Sequence, residues 1–544
     1  MEFDFIIVGA GTAGCVLASR LSENKQLSVL LLEAGDEIKT DLTHTVPLAV
    51  GKFLNKVNNI WLDRSTPSLP NFNKSIDWVS GKCIGGSSAV NGMIFVRGHP
   101  AKYEEWSSLD CPEWSYEKCL PYFKKLENCI FNNNPARNTG GPINVEMAET
   151  DEISEQFINA CLNTGIPRIY DYNSEIPDGV SYLQLSSKKG RRVSVAKGYI
   201  DPIRDRNNLT IIKNATVTRI EFDKNRACGV QFLQNHTLFK ATTRKEVILS
   251  AGSVRSPKIL ELSGIGNPQI LKNFEIPILF AQNFIGENLQ DHLMARICYE
   301  TYSPYTLNNI LDHKILMLKE FLKYISLGKG ILATTTLKST AYIRSNNLET
   351  IPNLRLQISL MSAEGRIPGT INGKFDLQAL RSNLDSGSAF HIGVYGLYPD
   401  SKGHTHISSP NFEDSSIVVP NYLNTKGDQK IILEGLGHIR NLANQPQLKK
   451  IIKKEIRPGM DFQNENELLN YASEFGHTCW HPIGTCKMGN KNNSVVDEFC
   501  QVYGLTGLRV IDASVFPMQI SSNTNTPVIM LAEKMSDHIL KSLR

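Results

Sequence analysis

Apolar residues gather in short runs near both ends of the chain and at wider, helical spacing through its middle. Phe5-Ile6-Ile7-Val8 is an unbroken apolar run, which predicts a buried parallel strand. Gly9, Gly11 and Gly14 follow at G-x-G-x-x-G spacing, and residues 12–22 read as a helix. Residues 28–32 form a second apolar run that ends at Glu33. Residues 209–222 (LTIIKNATVTRIEF) alternate apolar and polar side chains, and residues 247–249 are a short apolar strand closing on Ser250-Ala251-Gly252. Residues 354–360 and 389–395 read as strands set among amphipathic helices. In residues 310–327, Ile315, Leu318, Leu322 and Ile325 recur at helical spacing while Lys314, Lys319 and Lys323 are basic. Such a helix can lie on a membrane. A helix covering a domain has the same pattern, and the packed reading is preferred because apolar faces usually mean core.

The opening pattern carries chemistry. The three glycines suit a tight turn, a backbone close enough to touch pyrophosphate, and close helix–sheet packing. The helix after them presents its N-terminal dipole to phosphate. Glu33 lies where a carboxylate accepts hydrogen bonds from a ribose 2′-hydroxyl, and it would repel a 2′-phosphate. A dinucleotide is therefore expected, and NADP is disfavoured.

Size and charge narrow the class. At 544 residues the chain exceeds one core, so two or three domains are expected. A net charge of +4 over that length gives no case for nucleic acid. No apolar run reaches membrane-spanning length, so any membrane association is expected to be peripheral. The first strand begins close to Met1 and leaves no room for a cleaved leader, and Lys-Ser-Leu-Arg at the end is no retrieval address, so a cytoplasmic location is expected. Eleven cysteines, none in C-x-x-C, predict reduced and mostly buried thiols, Cys479 and Cys486 included. After Glu33, Pro-, Asn- and Lys-rich text to about Asp77 predicts irregular connections over a cofactor.

Residues 79–98 read VSGKCIGGSSAVNGMIFVRG, a stretch of backbone N–H groups with little side-chain bulk, suited to lie against a flat ring or a phosphate. Together with the opening motif, this stretch resembles the glucose–methanol–choline (GMC) family of flavin oxidoreductases. GSVRSPKILELSGIG (252–266), GENLQDHL (286–293), WHPIGTCKMG (480–489) and LRVIDASVFPMQISSNTNTPVIMLAE (508–533) agree with it in order. The choline-dehydrogenase-like branch is nearest in wording. The resemblance implies an α/β fold: a Rossmann-like FAD-binding domain from 1–150, 200–292 and 476–544, and a discontinuous α+β substrate domain from 151–199 and 293–475. It implies FAD contacts at Gly9, Gly11, Gly14, Glu33, Gly86, Ser87, Asn91, Val217, Asp512 and Ala513. Relatives with histidyl-linked flavin carry His where this chain has Val90, so non-covalent FAD is expected.

The resemblance also implies the reaction: oxidation of an alcohol to an aldehyde, with hydride passing to flavin N5 and a base taking the hydroxyl proton. By itself His481 is a histidine in a turn constrained by Pro482. The family's catalytic histidine stands in this H-P-x-G-T segment, which makes His481 the expected base. Asn525, two residues before Pro527, is expected to hold the substrate oxygen, and it also suits a helix cap. His292 is expected to be structural or flavin-side. His477 and His481 are four apart, but Pro482 and the lack of an intervening Glu argue against a metal. Choline-type members carry Glu where alignment puts Lys338, so a neutral primary alcohol is expected over choline, with an acidic one as the alternative. Trp61 and Trp480 are candidate aromatic walls. The acceptor is expected to be a quinone or electron carrier, with an O2-using oxidase as the alternative. A non-redox FAD lyase, and a light-driven decarboxylase pairing Lys338 with a carboxylate, are the other readings.

Overall fold

The strand Glu2–Val8 sits near the middle of a seven-stranded sheet, because its residues from Asp4 to Val8 are buried on both faces. In the computed structural model, which describes residues 1–38, 45–49, 59–68, 70–364, 370–371, 374–375 and 384–543, this sheet runs 209–212, 29–32, 2–8, 237–249, 226–234, 215–223. Leu508–Val510 also pairs with Thr237–Leu249, alongside its last residues. Six of the seven strands run in one direction; only 226–234 opposes them, antiparallel to both its neighbours. The carboxyl ends of the parallel strands therefore converge. Gly9, Glu33, Ser250 and Asp512 each stand at or just past such an end, the place where open α/β sheets bind ligands.

A second seven-stranded sheet is antiparallel throughout, in the order 452–457, 293–301, 389–396, 354–359, 337–343, 179–182, with His477–Thr478 also on 293–301. Strand alternation gives it two different faces. Leu354, Leu356, Ile358, Phe390, Ile392 and Val394 pack into a core with Ile432, Leu436 and Ile439 of the helix Lys426–Ala443. Met294, Arg296, Gln357, Ser359, His391 and Tyr395 face the other way and line a cavity. The cavity thus has the parallel strand ends on one side and the polar face of the antiparallel sheet on the other.

The last helix, Asn525–Ser542, packs against the first, Thr12–Leu21, and brings the end of the chain to the glycine turn. All eleven cysteines are free thiols, ten of them buried.

Two local expectations change. The run from Glu33 to Asp77 is not wholly irregular: Ile60–Arg64 pairs antiparallel with Asp77–Gly81. Residues 39–44, 50–58 and 69 of that run lie outside the described residues. The helix in the basic amphipathic segment spans Lys314–Leu327, but it does not bury the stripe that predicted packing. Ile315, Leu318, Leu322 and Ile325 all stand in solvent, and the residues buried instead are Glu320 and Tyr324. Periodicity located the apolar face without fixing which way the helix turns it.

Candidate active site

One cavity of about 670 Å³ runs between the two sheets. Gly9, Gly11, Glu33, Gly86, Ser87, Asn91, Val217, Asp512 and Ala513 line it. Gly14 does not, and its role is packing: a Cβ there would lie 1.9 Å from the Gly9 carbonyl oxygen. Gly86, at φ +50°, approaches so closely that a Cβ would fall 2.7 Å from Gly11 Cα. The cradle is therefore bare backbone where a pyrophosphate needs it. Glu33 accepts from the N–H groups of Ala10 and Gly35, both at 2.8 Å. Burial raises its pKa to about 7, against the pull of those two amides. Asp512 accepts from Gly252 N–H (2.8 Å), Ser256 Oγ (2.6 Å) and Ser514 N–H (2.8 Å), so it fixes the loop that follows the 237–249 strand. Asn91 takes a hydrogen bond from buried Arg192 at 3.0 Å, which secures the 86–91 segment. Val90 lines the cavity and offers no nucleophile. An elongated cavity with a glycine cradle, a helix N-terminus and a carboxylate fits FAD.

His481 lines the same cavity. Its backbone is held hard: His481 N–H donates to Asp291 (2.7 Å), and Gln519 donates to the His481 carbonyl (2.9 Å). Asp291 is fully buried, and Tyr422 and Thr478 also donate to it. The preceding Trp480 adopts φ +56°, a left-handed conformation that a bulky residue holds only when its surroundings impose it.

The hydrogen bonds around the ring assign its tautomer. His292 Nε2 lies 2.9 Å from the Leu397 carbonyl oxygen, which only accepts, so that nitrogen carries a proton. Burial drives the His292 pKa down to about 4, so the ring is neutral and its Nδ1 is an acceptor. His481 Nδ1 stands 3.0 Å from that Nδ1 and must donate. The lone pair of His481 is thereby left on Nε2. Asn523 Nδ2 donates to Nε2 at 2.8 Å, and the Asn523 oxygen faces the other way, accepting from Arg355 at 2.7 Å. Donors and acceptors alternate without conflict from Leu397 to Arg355.

Three expected site residues are arranged differently from expectation: Asn525 and Trp61 line the cavity but face other partners, and Lys338 lies outside it. Asn525 is not the amide beside His481; Asn523 is. Asn525 begins the last helix, and its Oδ1 accepts from Thr12 Oγ1 at 2.8 Å. Lys338 does not line the cavity. Its neighbour Leu337 does, and one step along a strand turns Lys338 to the opposite face. There its Nζ is buried 3.8 Å from Asp151 Oδ2 and 5.4 Å from the centre of the Tyr305 ring. Trp61 lines the cavity, but Lys82 Nζ (4.5 Å) and the Arg255 guanidinium (4.8 Å) already meet its ring, so it is no open wall for a substrate cation. Trp480 lines the cavity next to His481.

Sequence reasoning missed Asn523, Arg355 and the partnership of His292. Arg355 is fully buried beside the rings of Tyr342 and Tyr395, and it donates to Tyr395, Ser522 and Asn523. The signal for Asn523 was present in Asn523-Thr524-Asn525, where two asparagines compete for one role. Nothing local marked Arg355.

Family models described as GMC oxidoreductase match residues 3–294 for the N-terminal part and 399–532 for the C-terminal part. The chain belongs to the GMC oxidoreductase family. It is an FAD-dependent enzyme acting on the CH–OH group of an alcohol. An oxygen-dependent choline dehydrogenase of Chromohalobacter salexigens is 36% identical over 543 residues, 99% of this chain and 95% of that protein. One from Cronobacter sakazakii is 35% identical over 546 residues, 99% and 95% of the two chains. Among solved structures, pyridoxine 4-oxidase from Mesorbium loti superposes with a TM-score of 0.87 at 26% identity, covering 99% of both chains. Formate oxidase from Aspergillus oryzae gives 0.90 at 23% identity over 99% and 98%, a likeness of fold. No described helix of this GMC oxidoreductase is long and apolar enough to cross a membrane.

Proposed function

We propose that the enzyme oxidises a neutral primary alcohol to its aldehyde, with His481 Nε2 taking the hydroxyl proton. The observation that carries this reading is the tautomer chain, which presents an unprotonated nitrogen to the cavity. An incoming hydroxyl inserts between His481 and Asn523: it donates to Nε2, and its oxygen accepts from Asn523 Nδ2. The proton moves to Nε2 as negative charge grows on the oxygen. Asn523 holds that charge, and the buried Arg355 behind it keeps the amide turned the right way. FAD, when bound, supplies the two-electron sink for the hydrogen leaving the carbinol carbon.

The choice of a neutral alcohol rests on charge. Of the lining carboxylates, Asp63 is paired with Arg255, Glu33 is held by backbone amides and Asp512 by Gly252, Ser256 and Ser514. On the side of the second sheet the described lining residues include Arg296 and no carboxylate. A quaternary ammonium would find no counter-charge among these described residues. Choline is the second reading, favoured by the names of the relatives. The electron acceptor is proposed to be a quinone or carrier, in keeping with the apolar lining at Leu307, Leu311 and Leu332. The oxygen dependence of the choline dehydrogenases it resembles favours O2 as the second reading.

Anaerobic mixing with an alcohol panel is the test. Neutral primary alcohols should bleach the flavin band faster than choline does; faster bleaching by choline would reverse the substrate assignment. His481→Ala should slow bleaching about 10²–10⁴-fold with FAD content unchanged. Reoxidation of the reduced enzyme by a soluble quinone should outpace reoxidation by air, and the opposite order would make it an oxidase.

A further inference from the structure

The helix Lys314–Leu327 wears its amphipathic pattern reversed. Its inward face is polar: Glu320 accepts from Ile331 N–H at 3.0 Å, and Tyr324 donates to the Gly190 carbonyl at 3.3 Å. Its outward face is aliphatic: Ile315, Leu318, Leu322 and Ile325 are 83%, 58%, 57% and 53% exposed. At 100° per residue these four fall within an arc of about 80°, centred opposite Glu320. Specific hydrogen bonds thus hold the helix in the orientation that shows its greasy stripe to the outside.

The stripe is rimmed by cations. Lys314 lies on one flank and Lys319 on the other, both exposed, with Lys329 just beyond the C-terminal end. Gly190 packs against Gly328, so close that a Cβ on it would lie 1.9 Å from the Gly328 oxygen. That contact sets the turn bearing exposed Lys188, Lys189 and Arg191 beside the same end. The nearby acids are largely spoken for: Glu320 is buried, and Glu149 pairs with Lys323 at 3.0 Å; Asp312 remains at the far end.

We propose that this face rests in the headgroup layer of a membrane carrying anionic lipid, with the four aliphatic side chains below the phosphates and the lysines among them. A second copy of this chain fits the face less well, because a two-fold contact through the stripe would bring the same lysine rims together. The placement has a consequence for access. Leu307 and Leu311 immediately precede the helix, Leu332 and Thr335 follow it, and all four line the cavity. Docking turns that flank of the cavity to the bilayer, where a lipid-soluble acceptor or alcohol is concentrated. The docking itself does not depend on which alcohol is oxidised.

The test is flotation of the FAD-loaded enzyme with vesicles of phosphatidylcholine plus phosphatidylglycerol, and of phosphatidylcholine alone. Binding should be about tenfold stronger to the anionic vesicles and should weaken in high salt. The double variant Leu318→Glu, Leu322→Glu alters solvent-exposed positions only. It should keep its flavin and its turnover with a soluble dye acceptor while losing the flotation. Equal flotation of wild type and variant would overturn the proposal, as would failure of the wild type to float with either vesicle. So would a wild type that is dimeric in solution, binds no vesicle, and becomes monomeric on the same double substitution, since the face would then belong to a second copy.

Discussion

At the scale of single residues, the site turns on which asparagine meets His481. Asn523 Nδ2 stands 2.8 Å from Nε2, whereas Asn525 accepts from Thr12 Oγ1. The two should therefore fail differently. Asn523→Ala is expected to slow flavin reduction about 10²-fold or more with little change in FAD retention. Asn525→Ala is expected to leave the rate per bound flavin within a few-fold and to weaken FAD retention instead, because it loosens the first helix beside the glycine turn. Stopped-flow reduction, normalised to flavin content, separates the two; a larger rate loss in Asn525→Ala would return the oxyanion role to that residue. The same contrast explains what could be read in advance. Gly9 and Glu33 were legible because their demands are local: a turn that needs φ +96°, and a carboxylate at the end of the next strand. The choice between Asn523 and Asn525 depends on the phase of a helix start, and Lys338 depended on strand parity, so an error of one or two positions reversed the side each faces. Arg355 is brought to the site by a strand of the other sheet, and no local pattern announces that.

At the scale of elements, alternation and apolar runs located strands well, because burial on one or both faces writes directly into the sequence. The helix Lys314–Leu327 was found in place but turned the wrong way, since periodicity is symmetric between facing a core and facing outward. What fixes loops and strands to one another was less visible still. His406, on the strand Gly403–His406, lies 2.7 Å from Glu261 of the helix Arg255–Leu262 and 3.1 Å from Glu287 of the strand Glu287–Leu289. Burial opposes charge on His406, but the two carboxylates prevail and raise its pKa to about 9. The folded protein thus binds this proton more tightly than the unfolded chain does, where histidine titrates near about 6.5. The clamp's contribution is complete below that value and is lost as pH rises through about 9. His406→Gln should lower stability at pH 7 by about 3 kcal/mol, chiefly because Glu261 stays buried without its cation. Urea unfolding of the holoenzyme across this range checks the sign: the wild type should lose stability toward alkaline pH, and the variant should show a shallower fall. Parallel curves would mean that His406 is neutral in the fold.

At the scale of the whole molecule, the cavity exists because the two ends of the chain are fastened together. Glu533, in the last helix, has a fully buried side chain that accepts from Arg20 of the first helix at 2.7 Å, from Lys125 at 2.8 Å and from Tyr199 at 2.8 Å. Burial opposes its charge, but Arg20 and Lys125 outweigh it and hold the carboxyl below its ordinary pKa. Its contribution is therefore present above the unfolded value of about 4.3 and disappears as pH falls through the depressed one. Glu533→Gln keeps the volume and removes the charge, leaving the largely buried Arg20 with only the exposed Glu23, so at neutral pH it should destabilise by about 3 kcal/mol. The gap to the wild type should narrow in acid, where the wild-type carboxyl is protonated too; a gap that stays constant would make the contact a packing contact alone. FAD stabilises the folded chain by mass action, by an amount set by its affinity. Apoprotein and holoenzyme should thus lose the same increment in Glu533→Gln if the network only joins the ends. A larger loss in the holoenzyme would show that the fastening also shapes the dinucleotide cradle, through the contact between Thr12 and Asn525, about two helix turns along the same helix pair.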